Sequence, residues 1–254
     1  MQMKIRYDDA GHGEPVVLVH GLGASANIFG AQLAALQSDF RVLVPDLMRQ
    51  WRDNGIAISI DTLVGDVIEL IDEVGIETAH FVGHSLGSVV VQHLAVRHRS
   101  RVKSVALIGP IQVPADAGKQ ALLGRAARAR SSGMTEVADT TVLSGTAKET
   151  RHDRPEIAAF VRELVMRQDP ESYAQTCEAI VALSPAPIET LRCPTLVVTG
   201  DQDATSPPAV AKAIAQKIPA ATYVELPACG HWTPIEKARE ISGLLREFLL
   251  RIAD

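Results

Sequence analysis

The chain lacks any window of the roughly 18 uninterrupted apolar residues that a membrane-spanning helix requires, so no membrane partner is expected. Met1 to Gly13 carries scattered charges and no apolar core of signal-peptide length, which points to a cytoplasmic location. Cysteine is scarce: Cys177, Cys193 and Cys229 are an odd number at wide spacings with no CxxC pattern, which argues against a disulfide framework or a zinc site. Basic blocks are also missing beyond the loose set Arg125, Arg128 and Arg130, and the formal net charge is −5, leaving no electrostatic footprint for DNA or RNA. No Walker-type phosphate loop occurs, and Gly21 with Gly23 does not extend to GxGxxG. Neither a nucleotide cofactor nor a metal is expected.

What is present is an ordinary globular composition, 46% hydrophobic and 22% charged over 254 residues, enough for one domain with a sizeable core. Short β-branched runs fall at Val16 to Val19, Arg41 to Val44, His80 to Val82, Val102 to Ile108, Thr195 to Thr199 and Thr222 to Leu226. Most are continuously apolar, as strands buried on both faces are. Between them lie helical spacings: Leu63, Val67, Leu70, Ile71 and Val74; Val89, Val90, Leu94 and Val96; then Val210 to Ile218 and Ile241 to Ile252. Strands alternating with helices predict an α/β fold whose parallel sheet is flanked by helices, because parallel neighbours need crossovers.

One stretch breaks the alternation. Residues 114–191 are rich in alanine, arginine and glutamate, hold helical spacing and no convincing strand, and are followed by Pro194 at the return to the sheet. They read as a helical insertion in a core made of residues 1–113 and 192–254, either a cap over a site or a peripheral bundle.

The strongest chemical signal is Gly83-His84-Ser85-Leu86-Gly87, which follows an apolar run and opens a helix, the strand-turn-helix setting of GxSxG. Glycines on both flanks leave room for a sharp turn that lifts Ser85 out of the sheet toward a helix N-terminus. A simple strand-to-helix turn is the bland alternative. A serine hydroxyl is a weak nucleophile, so a base and an orienting carboxylate are needed. Gly200-Asp201-Gln202-Asp203 and Ala228-Cys229-Gly230-His231-Trp232 each follow a strand, where open α/β sheets place their ligands. Asp203 lies deeper in its loop than Asp201, which is placed to cap the turn, and His231 follows a glycine in a post-strand loop. His93, His98 and His152 read as helix or surface residues, while His20 and His84 read as supporting groups. Val16 to Val19 runs into His20-Gly21-Leu22-Gly23, a loop that either brings the Leu22 N–H, with that of Leu86, to a developing oxyanion or is a plain strand-end turn.

Together these segments resemble the alpha/beta-hydrolase superfamily over almost the whole chain, and more particularly bacterial enzymes related to 3-oxoadipate enol-lactonases, carboxylesterases and carbon–carbon bond hydrolases. The resemblance implies a mostly parallel eight-stranded sheet with a helical cap after the sixth strand. It implies Ser85, Asp203 and His231 as catalytic residues and Leu22 and Leu86 as oxyanion donors. It leaves His20, Gly21, Trp51, His84 and Trp232 as candidate substrate contacts.

The chain departs from the pattern after Pro45-Asp46-Leu47, where Met48-Arg49-Gln50-Trp51-Arg52-Asp53 replaces the family's glycine-serine turn, so Trp51 either lines the pocket or merely packs. The expected activity is hydrolysis of a small or medium ester or lactone through an acyl-enzyme. Carbon–carbon hydrolysis, perhydrolysis, cyanohydrin cleavage and a non-catalytic receptor are alternatives, because a triad does not encode the bond it cleaves. A dehalogenase is disfavoured, since that chemistry needs a carboxylate where Ser85 stands.

Overall fold

The computed structural model describes residues 5–47, 57–219 and 221–253. Seven strands form one sheet: β1 (Tyr7–Ala10), β2 (Glu14–Val19), β3 (Phe40–Pro45), β4 (Ala79–His84), β5 (Val102–Ile108), β6 (Thr195–Gly200) and β7 (Ala221–Leu226). Their spatial order is β1-β3-β2-β4-β5-β6-β7, with β1 antiparallel to β3 and every other pair parallel. The fold class is the one expected, but among the described residues the sheet has seven strands rather than eight, so the helical insertion follows the fifth strand rather than the sixth. β1 is the sheet's edge strand. It is four residues long, reads Tyr-Asp-Asp-Ala, and its Asp9 pairs with Arg41 of β3 at 2.7 Å.

Among the described residues eleven α-helices surround the sheet. α1 (Gly30–Leu36), α2 (Ile60–Glu73) and α3 (Leu86–Arg97) precede the insertion. α4 (Asp116–Ser132), α5 (Thr135–Gly145), α6 (Lys148–Asp153), α7 (Pro155–Met166) and α8 (Pro170–Val181) all lie between β5 and β6. α9 (Pro208–Lys217), α10 (Thr233–Glu236) and α11 (Ala238–Ala253) complete the chain. The two-residue strand period divides the core between the faces. Val17 and Val19 pack with Leu63 and Val67 of α2 and Ile214 of α9, while Val16 and Leu18 pack with Leu36 of α1 and Leu245 of α11. The second cluster also takes in Val161, Leu164, Val165 and Tyr173, so the insertion shares its core with the sheet domain.

Two sequence features settle local structure near the site. Ser59 caps α2 by accepting the Thr62 N–H while the Thr62 hydroxyl accepts the Ser59 N–H, a reciprocal pairing that satisfies first-turn donors. Every residue of α3 from Leu86 to Ala95 is buried, which is why its apolar residues fill all faces instead of one stripe. A helix held on all sides is a rigid mount for whatever stands at its first turn.

Candidate active site

Ser85 stands between β4 and α3 with φ 54° and ψ −120°, a left-handed backbone that a serine adopts only under constraint. The constraint is visible in its neighbours. A Cβ at Gly83 would lie 2.3 Å from the Gly87 carbonyl oxygen, and one at Gly87 would lie 2.0 Å from that of Val19, so neither flank admits a side chain. The Ser85 N–H is tied to the Ile108 carbonyl at 2.9 Å and its carbonyl accepts the Ser88 hydroxyl at 2.5 Å, which pins the turn to β5 and α3.

His231 and Asp203 reach this point from the loops after β7 and β6. His231 Nε2 lies 2.8 Å from Ser85 Oγ, and His231 Nδ1 lies 2.8 Å from Asp203 Oδ2. The Asp203 carboxylate can only accept, so Nδ1 carries the proton and Nε2 presents its lone pair to the serine hydroxyl. The other oxygen, Oδ1, accepts the N–H groups of Thr205 at 2.8 Å and Ser206 at 2.7 Å, fixing the carboxylate's orientation. Asp203 is only 2% exposed, against 8% for Ser85 and 7% for His231, so the acid is sealed while the other two keep a narrow opening. Asp201 is exposed, and its Oδ1 accepts the Cys229 N–H at 3.1 Å, which holds the histidine loop against the aspartate loop.

The remaining sequence candidates fall into place around this chain of contacts. A Cβ on Gly21 would meet Ser85 Cβ at 2.7 Å and the Leu86 nitrogen at 3.3 Å, so the glycine loop runs directly against the serine turn. Leu86 is the first residue of α3, and a first-turn N–H has no partner within its helix. His20 is fully buried, with Nδ1 3.0 Å from the Gly21 carbonyl and Nε2 accepting the Leu47 N–H at 3.1 Å. It joins the ends of β2 and β3. His84 Nε2 donates to the His231 carbonyl at 2.7 Å, and burial, reinforced by His231, pushes its imidazole down to about 3, so it stays neutral. Trp232 is buried 6.1 Å from the His84 ring and touches the position of Gly145 at the end of α5. Trp51, with the whole Met48 to Asp53 segment, lies outside the described residues.

Three contributors carry no sequence motif. Gly109, at φ 51°, sits directly after β5, and a Cβ there would come within 3.2 Å of His231 Nδ1 and 3.3 Å of Asp203 Oδ2. The Gly109-Pro110 pair marks a turn, the one local hint available. Ser206 donates to the Pro110 carbonyl at 2.5 Å, linking the same turn to the aspartate loop. Glu236 is fully buried beside the histidine loop and had no signal beyond following it. Cys229, next to His231 in the sequence region, is buried, and burial followed by Glu236 pushes its thiol well above the usual range.

Residues of the insertion reach this centre. Gly23 of the glycine loop lies against Val165 and Tyr173, and the His231 N–H donates to the Gly145 carbonyl at 2.7 Å. Two open grooves of about 440 and 430 Å³ share His93 of α3 with Leu183 and Ser184, just past α8, and neither is lined by Ser85, Asp203 or His231.

A mostly parallel sheet carrying a strained serine at a strand-to-helix turn defines an α/β enzyme class, and sequence comparison agrees. The alpha/beta hydrolase family model matches residues 16–243, and the protein belongs to that family. It is 29% identical over 251 residues to a 2-hydroxymuconate semialdehyde hydrolase of Pseudomonas putida, covering 95% of this chain and 89% of that one. Among solved structures, an esterase from Thermogutta terrifontis superposes with a TM-score of 0.92 at 27% identity, covering 98% of this chain and 93% of that one. An enol-lactonase from Burkholderia xenovorans gives 0.90 at 30% identity, covering 97% and 96%. Among the described residues no helix is long and apolar enough to cross a membrane.

Proposed function

We propose that this hydrolase cleaves a small or medium ester or lactone, with Ser85 as nucleophile, His231 as general base and Asp203 as the group that orients it. The observation that carries the reading is the unbroken run of contacts from Asp203 Oδ2 through the His231 ring to Ser85 Oγ, each 2.8 Å, ending on a strained serine. His231 Nε2 takes the Ser85 proton as Oγ bonds to the substrate carbonyl carbon. The oxyanion is received by the N–H groups of Leu22 and Leu86, each such donor being typically worth roughly 10²–10³ in rate. The His231 imidazolium returns its proton to the leaving alcohol, and water then attacks the acyl-enzyme by the same route in reverse.

Residues 114–191 act as the cap in this reading, a role supported by their contacts to the glycine loop and the His231 backbone. Val165 and Tyr173, which lie against the glycine loop, suit a substrate with an apolar acyl or alcohol part. Three cysteines left unpaired fit a cytoplasmic setting.

The test is turnover of a chain-length series of p-nitrophenyl esters by wild type, Ser85→Ala, His231→Ala and Asp203→Asn, each checked for folding, together with labelling by a fluorophosphonate. Turnover that collapses in all three variants, by about 10⁴-fold for Asp203→Asn, is the expected result. A second reading, carbon–carbon bond hydrolysis, is favoured by the similarity to the semialdehyde hydrolase. It takes precedence if Ser85 is labelled, the esters are not turned over, and 2-hydroxymuconate semialdehyde is. A folded wild type that neither labels nor turns over either substrate refutes the serine mechanism.

A further inference from the structure

We infer that Glu236 is a positioning residue that clasps the His231 loop to the insertion and so holds the base against Ser85; this rests on the serine mechanism proposed above. Glu236 ends α10, is 0% exposed, and meets only donors at the contacts described here. Its Oε1 accepts the Trp232 N–H at 3.1 Å. Its Oε2 accepts the Ala147 N–H at 2.8 Å and the Thr150 hydroxyl at 2.7 Å, from residues 89 and 86 positions away in the chain.

A carboxylate that served only to cap a four-residue helix would need the first of these contacts alone. The second oxygen is directed instead at the start of α6, in the insertion. Between the two runs Gly230, where a Cβ would meet the Gly145 carbonyl oxygen at 2.6 Å, the Ala147 nitrogen at 2.7 Å and Glu236 Oε1 at 2.8 Å. Gly145–Ala147, Gly230–Trp232 and Glu236 are therefore packed with no room for slack.

His231 lies inside that clamp. Its N–H is held by the Gly145 carbonyl at 2.7 Å, its carbonyl accepts from His84 at 2.7 Å, and the next N–H along the chain is the one Glu236 holds. The His231 backbone cannot shift without breaking a bond to the insertion or to Glu236. The ring position that puts Nε2 2.8 Å from Ser85 is thus set partly from the insertion side.

The experiment compares wild type, Glu236→Gln, Thr150→Val and the double variant. Glutamine keeps the shape but must turn an N–H₂ toward donors at one end; valine deletes only the hydroxyl, far along the clasp from Ser85. The readouts are kcat and KM on the best p-nitrophenyl ester and, independently of turnover, the His231 tautomer read from ring ¹⁵N shifts of histidine-labelled protein. The expected result for Glu236→Gln is a fall in kcat of about ten- to 10²-fold with KM within a few-fold of wild type, since misplacing a reacting group by about 1 Å can cost 10²-fold. The His231 ring should lose its single Nδ1–H tautomer. Thr150→Val should lower kcat in the wild-type background and have no further effect on Glu236→Gln, because both act through one carboxylate.

Unchanged kcat and an unchanged tautomer in Glu236→Gln, with only a lower Tm, would mean that Glu236 merely caps α10 and overturns the inference. Additive losses in the double variant do the same. If Glu236→Gln does not fold, Thr150→Val decides alone: reduced kcat at constant KM supports the clasp, and wild-type kcat refutes it. If wild type is neither labelled by the fluorophosphonate nor turns over either substrate, the serine mechanism has failed, and the tautomer measurement still decides whether Glu236 fixes His231.

Discussion

Replacing Gly109 with alanine isolates a constraint that nothing in the sequence announces. The residue sits at φ 51°, and an added Cβ would stand 3.2 Å from His231 Cε1 and Nδ1 and 3.3 Å from Asp203 Oδ2. Two effects follow. The left-handed backbone costs an alanine about 1–2 kcal/mol, which for a chain of this length lowers Tm by roughly 2–4 °C. Contacts that tight also push the ring and carboxylate by a few tenths of an ångström, and both groups are already committed to 2.8 Å hydrogen bonds, so the shift lengthens the bonds that orient the base. A 1 Å misplacement can cost about 10²-fold in turnover, so a shift of a few tenths should cost about three- to tenfold. Gly75→Ala supplies the control, since Gly75 also has a positive φ, 72°, where it ends α2, but nothing lies within 4 Å of its added Cβ. Steady-state ester hydrolysis and thermal unfolding of both variants should show similar losses of Tm and a loss of kcat only in Gly109→Ala. Wild-type kcat in Gly109→Ala, with Tm lowered as in Gly75→Ala, would refute the claim that Gly109 holds space for His231 and Asp203.

Other expectations can be checked alongside. His84 has its folded pKa pushed down to about 3 while the unfolded group titrates near 6.5, so the unfolded chain binds the extra proton between those values. Its contribution is complete above pH 6.5 and is lost as pH falls toward 3, at roughly 1 kcal/mol or more per pH unit. Urea unfolding of His84→Gln across that window should therefore show a shallower loss of stability than wild type, and an identical slope would exclude the assignment. Cys177 and Cys229 are fully buried, with burial pushing the Cys177 thiol up to about 12, whereas Cys193 is half-buried. A disulfide reagent should modify at most one thiol in the native protein and three in denaturant. Arg130 joins α4 to α8 through Glu171 at 2.8 Å and Glu178 at 2.5 Å, all on the surface. Arg130→Ala should cost less than about 1 kcal/mol by urea unfolding, less still at high salt; a larger, salt-independent loss would place the residue in a role beyond surface pairing.

Much of this architecture is legible without coordinates because its signals are local. Most of the strands are apolar runs bounded by turn residues, whereas β1 reads Tyr-Asp-Asp-Ala, which has the polarity of a loop and forms a strand only by pairing with β3. The Ser85 turn is similarly self-announcing, since the two glycines that flank it are demanded by the turn itself. That Ser85, Asp203 and His231 would be neighbours was an inference from strand ends, and the sheet order brings them to one point.

The groups that hold them there could not be read in advance. His84 bonds to the His231 carbonyl across 147 positions, Glu236 reaches Ala147 across 89, and Gly109 is needed only because two distant loops converge on it. The sequence by itself determined the strand and helix periods and the strained serine turn, because each depends on residues a few positions apart. Only the tertiary structure decided the strand count at the β1 edge, the orientation of the His231 ring and the coupling of the insertion to it. Those depend on which atoms meet after the chain has folded, and no spacing along it records that.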